Sequence, residues 1–227
     1  MPIRVGDTSR ATGWTTVPSI RTSDAELPSV RVGGVEVWRK AMAWEQASTS
    51  KTIVAPSWAN YIDVVALGGG GGGVRGNGGN SKAGRGGDPG KYASACWATL
   101  PGREFIISIG QGGAGGVSGN IDGKAGGATT VKNVDLGYTL TAEGGPQVTG
   151  QNDWKTGYSP GNYLYKTPDA GPYRDQTTQY GGGEVGMNQP GYWPGGGGGG
   201  GGGGVFNIAS DGQPGASGIA WYRFRSY

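Results

Sequence analysis

Histidine is missing from all 227 residues, and cysteine occurs once, at Cys96. Without histidine there is no Ser-His or Cys-His couple for nucleophilic catalysis. A zinc site built on imidazoles or several thiolates is excluded as well. One cysteine cannot close an intrachain disulfide. Its setting, YASACWATL, reads as a strand in which Cys96 is a small buried apolar residue. No stretch approaches the roughly 20 apolar residues of a membrane-spanning helix. The opening MPIRVGDTSR has no apolar core of signal-peptide length, so synthesis in the cytoplasm without a standard export signal is expected. Charge is also scarce: 19 Lys and Arg against 16 Asp and Glu leave a net +3, spread along the chain. Neither nucleic acid nor an acidic membrane is expected as a partner.

What the chain has in excess is glycine, 52 residues, with 13 Pro, 8 Trp and 11 Tyr. So much glycine and proline usually signals low complexity, but disordered chains are poor in aromatics. A folded protein is the better reading. Residues 1–50 hold few glycines. Within them SVRVGGVEVWRK (29–40) reads as a hairpin, with Val30 and Val32, a Gly33-Gly34 turn, then Val35 and Val37. Trp14, Trp38 and Trp44 offer this region an apolar anchor. From 51 onward, short strand-like segments alternate with glycine-rich ones. Phe105, Ile107 and Ile109 share one face of REFIISIG. In SGIAWYRFRSY, Ala220, Tyr222 and Phe224 fall on one face, and Trp221, Arg223 and Arg225 on the other. No amphipathic helix is visible. The expectation is an all-β, glycine-rich β-sandwich with packed polyglycine segments of polyproline-II kind and little or no helix. Its two parts are an N-terminal region at 1–50 and a glycine-rich β domain at 51–227, with an aromatic loop insertion at 151–194.

The glycine segments include six consecutive glycines at 68–73 and ten at 195–204. They lack a sustained Gly-X-Y period, which excludes collagen. Two arrangements fit. In one, extended threefold helices pack at backbone distance, held by N–H···O and Cα–H···O contacts. In the other, the segments are loops at one end of the sandwich. Matches to G-x-G-x-x-G arise by chance at this glycine content, and none opens a helix, so nucleotide binding is not expected. GNIDGKA (119–125) reads as an Asn/Asp-Gly turn rather than a calcium loop. VRGNGGNSKAGRGGDPGK (74–91) reads as a solvated loop rather than a nucleic-acid segment. Asp63, Glu104, Glu143, Asp153 and Glu184 are the carboxylates available for glycan cleavage. They are expected to be solvated charges at strand edges and loops. No catalytic residue, metal or cofactor is expected, and the chain is read as a non-enzyme.

The strongest binding signal is 151–194. It carries Trp154, Tyr158, Tyr163, Tyr165, Tyr173, Tyr180, Tyr192 and Trp193 among Asn, Asp, Gln and Thr, stiffened by prolines. Rings beside hydrogen-bonding groups suit the flat polar faces of sugars. Trp154, Tyr158, Tyr163, Tyr165, Tyr173, Tyr192 and Trp193 are therefore the candidate receptor-binding residues. The competing reading is that these rings cap the glycine segments or pack at a subunit interface.

The order YIDVVALGGGGGG, LPGREFIISIGQGGAGG, GKAGGATTV, LTAEGGP, the ten-glycine run and PGASGIAWYRF resembles the glycine-rich domain of minor tail proteins of long-tailed bacteriophages. The resemblance covers roughly 50–227, and SVRVGGVEVWRK is similar to a segment near the start of tail proteins of phages infecting actinobacteria. A related stack of polyglycine helices occurs in tail-fibre adhesins of some T-even-like phages. The segment 151–194 departs from the pattern, so its candidate residues rest on composition alone. The resemblance implies a structural virion protein of the tail tip or fibre, with 1–50 docking to other tail proteins and the glycine-rich domain reaching a host-surface glycan. By analogy with phage fibres it implies a homo-oligomer, a trimer. The number of aromatics, large for one small core, agrees. The alternatives are a carbohydrate-active tail enzyme and a non-viral structural surface protein.

Overall fold

The computed structural model describes residues 21–22, 25–26, 29–32, 35–39, 42–79, 81–151, 157–158, 163–164, 179–180, 184–204, 206 and 208–226. No helix occurs among them. The first strands form two antiparallel pairs, β1 (Arg21–Thr22) with β2 (Ala25–Glu26) and β3 (Ser29–Val32) with β4 (Val35–Arg39). In the second pair Val32 lies opposite Val35 across residues 33–34, as the hairpin reading requires. The main strands are β5 (Glu45–Ala47), β6 (Lys51–Val54), β7 (Tyr61–Leu67), β8 (Tyr92–Ala98), β9 (Glu104–Ser108), β10 (Thr129–Asn133) and β11 (Thr139–Ala142). The short β12 (Gly157–Tyr158), β13 (Tyr163–Leu164), β14 (Gln179–Tyr180) and β15 (Glu184–Val185) lie in the insertion, and β16 (Ile219–Arg225) closes the chain.

Two four-stranded antiparallel sheets, β11-β10-β9-β6 and β5-β16-β7-β8, face each other. Between them lie Ile53, Ile62, Val64, Phe105, Ile107, Val131, Ala220, Tyr222 and Phe224, all buried. Alternation dictates this: Phe105, Ile107 and Ile109 point inward while Glu104, Ile106 and Ser108 are exposed. The second sheet is buried on its other face too, where Val65, Leu67, Ile219 and Trp221 pack with Trp44 and Tyr92. The expected two-faced division of β16 is therefore present.

The glycine segments leave the sandwich at one end. Leu67 runs into Gly68, Ser108 into Ile109 and Gly110, and Ala142 into Glu143; Lys91, Ala128 and Gly218 return into β8, β10 and β16. Seven extended segments result: 68–77, 82–91, 110–117, 121–127, 143–150, 195–204 and 208–218. The first lies at the centre. Each N–H from Gly68 to Asn77 donates outward in strict rotation. Residues 68, 71, 74 and 77 donate to the carbonyls of 91, 88, 85 and 82. Residues 69, 72 and 75 donate to 127, 124 and 121. Residues 70, 73 and 76 donate to 216, 213 and 210. These three acceptors run antiparallel to it. Its carbonyls accept from three parallel neighbours, from Gly113 and Gly116, from Gly145, and from Gly198, Gly201 and Gly204. The six neighbours also bond around the ring, for example Gly84 N–H to Gly201, Gln213 to Gly199, Gly215 to Gly113, Gly127 to Gln111, Gly126 to Gly145 and Lys91 to Glu143. Rotation by three is the period of a threefold extended helix.

This bundle explains the glycine pattern. In the central run every position faces backbone: a Cβ on Gly72 would fall on the Ala114 carbonyl, and one on Gly73 on that of Gly199. In QGGAGGV (111–117) two positions in three face neighbours and are glycine; Gln111, Ala114 and Val117 face out and are exposed. In 82–91 and 208–218 every third residue faces the centre, at Gly84, Gly87 and Gly90 and at Gly212, Gly215 and Gly218. The segment 195–204, flanked also by 186–191, is glycine throughout. Of 74–91, expected as a solvated loop, residues 74–77 belong to the central segment and 82–91 are a bonded member of the bundle, with only their outer residues in water.

Candidate functional site

The bundle has a far end, opposite the pole where Met42 enters the sandwich beside Phe224. There Asn77 bonds to Lys82, Val117 to Asn120, and Gly204 to the Asn77 carbonyl. Arg75 ties them: its Nη1 pairs with Asp211 Oδ1 at 3.1 Å and its Nη2 donates to the Ala209 carbonyl at 3.3 Å. Asn77 Nδ2 donates to Gln151 Oε1 at 2.8 Å, and Gln151 Nε2 donates back to the Arg75 carbonyl at 3.2 Å. Gln151 is the first residue of the insertion and the last one described before 152–183, of which only short strand pairs are described. On its return, Asn188 N–H donates to the Gly200 carbonyl, and Gly202 N–H donates to Asn188 Oδ1 at 3.0 Å. The two roots of 152–183, Gln151 and Asn188, are therefore both held toward the far end. Its described strands pair in order, Tyr158 opposite Glu184 and Tyr163 opposite Tyr180.

Of the candidate receptor-binding residues, Trp154, Tyr165 and Tyr173 lie outside the described residues. Tyr158 and Tyr163 are placed by backbone pairing only. Tyr192 and Trp193 are exposed, beside Gly195 at the sandwich end of the ten-glycine segment. The structure thus separates these last two from the insertion roots by the length of that segment. Composition did not single out the turns of the far end. They expose Phe206 (91%), Ile208 (74%), Val117 (48%) and Ile121 (43%). Phe206 has a positive φ of 57°. The local glycine repeat at 84, 87, 90 and at 212, 215, 218 was the signal that would have located these turns, because each repeat has to end where the bundle ends.

Two expectations about charge need correction. Asp63 is not solvated: it is 3% exposed, accepts from Arg223 Nε at 3.0 Å and from Arg225 Nε at 3.1 Å, and so joins two guanidiniums on the outer face of the second sheet. Trp44 and Tyr61 rings lie under Arg223 and Arg225, 4.7 and 4.5 Å from the guanidinium carbons. Cys96 is half-buried and not in apolar surroundings; Arg225 Nη2 donates to its Sγ at 3.1 Å. Burial first, then the hydrogen bond to Asp63, push its thiol pKa up, away from the thiolate a nucleophile needs. Glu104 and Glu143 are exposed, Glu143 paired with Lys91; Asp153 lies outside the described residues. A crevice of about 440 Å³ opens between β5 and β6, lined by Met42, Glu45, Val54, Trp58, Tyr222 and Phe224. There the Tyr222 hydroxyl accepts from Lys51 Nζ at 2.9 Å and donates to Glu45. Burial, then that donated bond, push its pKa up, so it stays a neutral donor.

Among the described residues no cluster of three metal-ligating side chains is found, and no helix is long and apolar enough to cross a membrane. What the geometry offers is a rigid projection with presented loops. A family described as Glycine-rich domain matches residues 45–174. The chain is also 31% identical to Gene 32 protein of Mycobacterium phage D29 over 229 residues, 94% of each chain. The stacking of glycine backbones and the family match agree: the chain belongs to the glycine-rich domain family and is related to this mycobacteriophage protein.

Proposed function

We propose that the chain is a non-enzymatic structural virion protein of a phage tail, a minor tail protein of the tail tip or fibre. The observation that carries this reading is polarity. Residue 42 enters at one pole of the sandwich, while the glycine bundle projects from the other and holds the insertion roots at its far end. A bundle of polyglycine helices of polyproline-II kind is a stiff spacer, because fixed neighbours on every side remove the freedom glycine otherwise keeps. With the 1–50 region toward other tail proteins, the aromatic insertion faces outward. There its rings and amides take a host-surface glycan, weakly per copy and with avidity across a homotrimer. The relative from Mycobacterium phage D29 supports a phage protein.

Virions labelled with antibody to this chain test the location: label at the distal tail supports the reading, and label confined to lysate protein overturns it. Phage carrying Trp154→Ala, Tyr158→Ala and Tyr163→Ala, the candidate rings that follow Gln151, are expected to assemble and to adsorb poorly. Normal adsorption would make these rings packing residues, and loss of intact tails would make them interface residues.

A further inference from the structure

We infer that the outer edge of β8 is a pairing surface for a second copy of this chain. β8 runs over seven residues, Tyr92–Ala98, at the edge of the second sheet. All of it pairs with β7 without a register shift. The ladder fixes which backbone groups turn outward. At its ends the Lys91 carbonyl takes the Gly68 N–H, and the Thr99 N–H goes to the Asn60 carbonyl. Antiparallel pairing alternates, so Ala93, Ala95 and Trp97 bond to β7, while Ser94, Cys96 and Ala98 turn N–H and C=O away from it. Among the described residues no backbone group bonds to these three on that side, and Ser94 and Ala98 are exposed.

Natural sheet edges are blunted by shortness, charge, proline or a bulge. The other edges of the sandwich follow this: β5 has three residues and carries Glu45, β6 has four and carries Lys51, and β11 has four. β8 has no charge, no proline, no glycine and no bulge. Two features select a second copy as the occupant. YASACWA is uncharged, so two copies meet there without repulsion. Turned antiparallel about Ala95, the strand is also self-complementary in size: Trp97 meets Ala93, Tyr92 meets Ala98 and Cys96 meets Ser94 of the second copy. In that register Ser94 and Cys96 exchange N–H···O bonds in both directions, and the half-buried Trp97 ring gains cover. The second sheets of the two copies become one continuous sheet. This inference does not rest on the tail reading: it concerns the free chain, and a threefold assembly on the tail would use other surfaces.

Sedimentation of the full-length chain at micromolar concentration tests the pairing, and a dimer is expected. Ser94→Lys puts like charges on both sides of the two-fold axis. It is expected to weaken dimerisation about tenfold or more, with the fold kept as circular dichroism reads it. Ser94→Pro removes an outward donor and is expected to act the same way. Thr52→Lys, an exposed site on the edge strand β6, is expected to leave the dimer intact. Ser94→Cys in a chain that keeps Cys96 is expected to give a covalent dimer on mild oxidation, because the register sets residue 94 opposite residue 96 of the second copy. A monomeric parent chain overturns the proposal. So does a dimer or trimer that Ser94→Lys leaves intact, or a Ser94→Cys chain that dimerises without cross-linking.

Discussion

The sandwich and the glycine bundle are two solutions to the same problem on one chain. In the sandwich, side chains do the work: Phe105, Ile107, Val64 and Phe224 are removed from water, and the backbone bonds only along its ladders. In the bundle there are almost no side chains to bury. Each hydrogen bond nets about 1 kcal/mol, while fixing a residue costs about 1–2 kcal/mol. Backbone bonding alone therefore does not stabilise a free glycine segment. The bundle holds because six neighbours surround the central segment, adding close Cα–H···O and dispersion contacts, and because strands of the sandwich fix the segment ends. A sandwich tolerates exchange among apolar residues of similar volume. A bundle packed at backbone distance admits a β-carbon at few of its inner positions, Val74 being one, and at most of them a β-carbon would fall on backbone.

That contrast is sharpest at Gly72. Gly72→Ala places one methyl on the Ala114 carbonyl with backbone on every side, so a loss of more than about 4 kcal/mol, or no folded protein, is expected. A melting temperature within a few degrees of the parent would break the comparison. Next is the sandwich core: Phe105→Ala removes a ring stacked on Trp97 at 6.1 Å and is expected to cost about 3–5 kcal/mol in urea unfolding. Asp63→Asn takes away the carboxylate that Arg223 and Arg225 share on a buried face. An effect of about 3–5 kcal/mol is expected there, and Asp63→Glu should not restore it fully, since both bonds depend on one short side chain. A smaller effect belongs to a glycine outside the packed array. Gly119 has open space around its Cβ but φ +86°, so Gly119→Ala is expected to cost about 1 kcal/mol, from backbone strain alone.

The smallest effect concerns the exposed Lys91–Glu143 pair, where 82–91 meets 143–150. The hydrogen bond from Lys91, then its charge, hold the Glu143 carboxyl below the usual range. A depressed folded pKa means that the stabilisation is complete above the unfolded carboxylate value and fades as pH falls through the folded one. Glu143→Gln should therefore flatten the acid side of a melting-temperature profile slightly and leave neutral pH nearly unchanged. A large shift at neutral pH would show that this pair anchors the bundle to the sheet, contrary to its exposure.

Much of the sandwich was legible, because alternation is a local property. Phe105, Ile107 and Ile109 marked an inner face, and Ala220 to Arg225 declared two faces before any partner strand was known. The hairpin around 33–34 was legible for the same reason. Asp63 was not: a carboxylate in YIDVVALG looks like a strand-edge charge until β16 places Arg223 directly opposite it. Of the candidate binding residues, composition picked out Tyr192 and Trp193, and only the structure shows that they are exposed and lie at the sandwich end of the ten-glycine segment. It did not pick out Val117, Ile121, Phe206 and Ile208, since single apolar residues in a glycine-rich turn carry no periodic signal.

By itself, the sequence determined which positions in each glycine segment can face a neighbour. All three in a turn are free of side chains at 68–73, two at 111–117 and one at 208–218. It also determined that these segments alternate with strands able to anchor them. Only the tertiary structure decided which segment lies against which, that 68–77 is central, and that the turns and the roots of the insertion meet at one far end. The physical reason is that glycine backbones are chemically identical. A polyglycine segment pairs equally well with any other, in any register, so its partners are chosen by the strands to which its ends are tied.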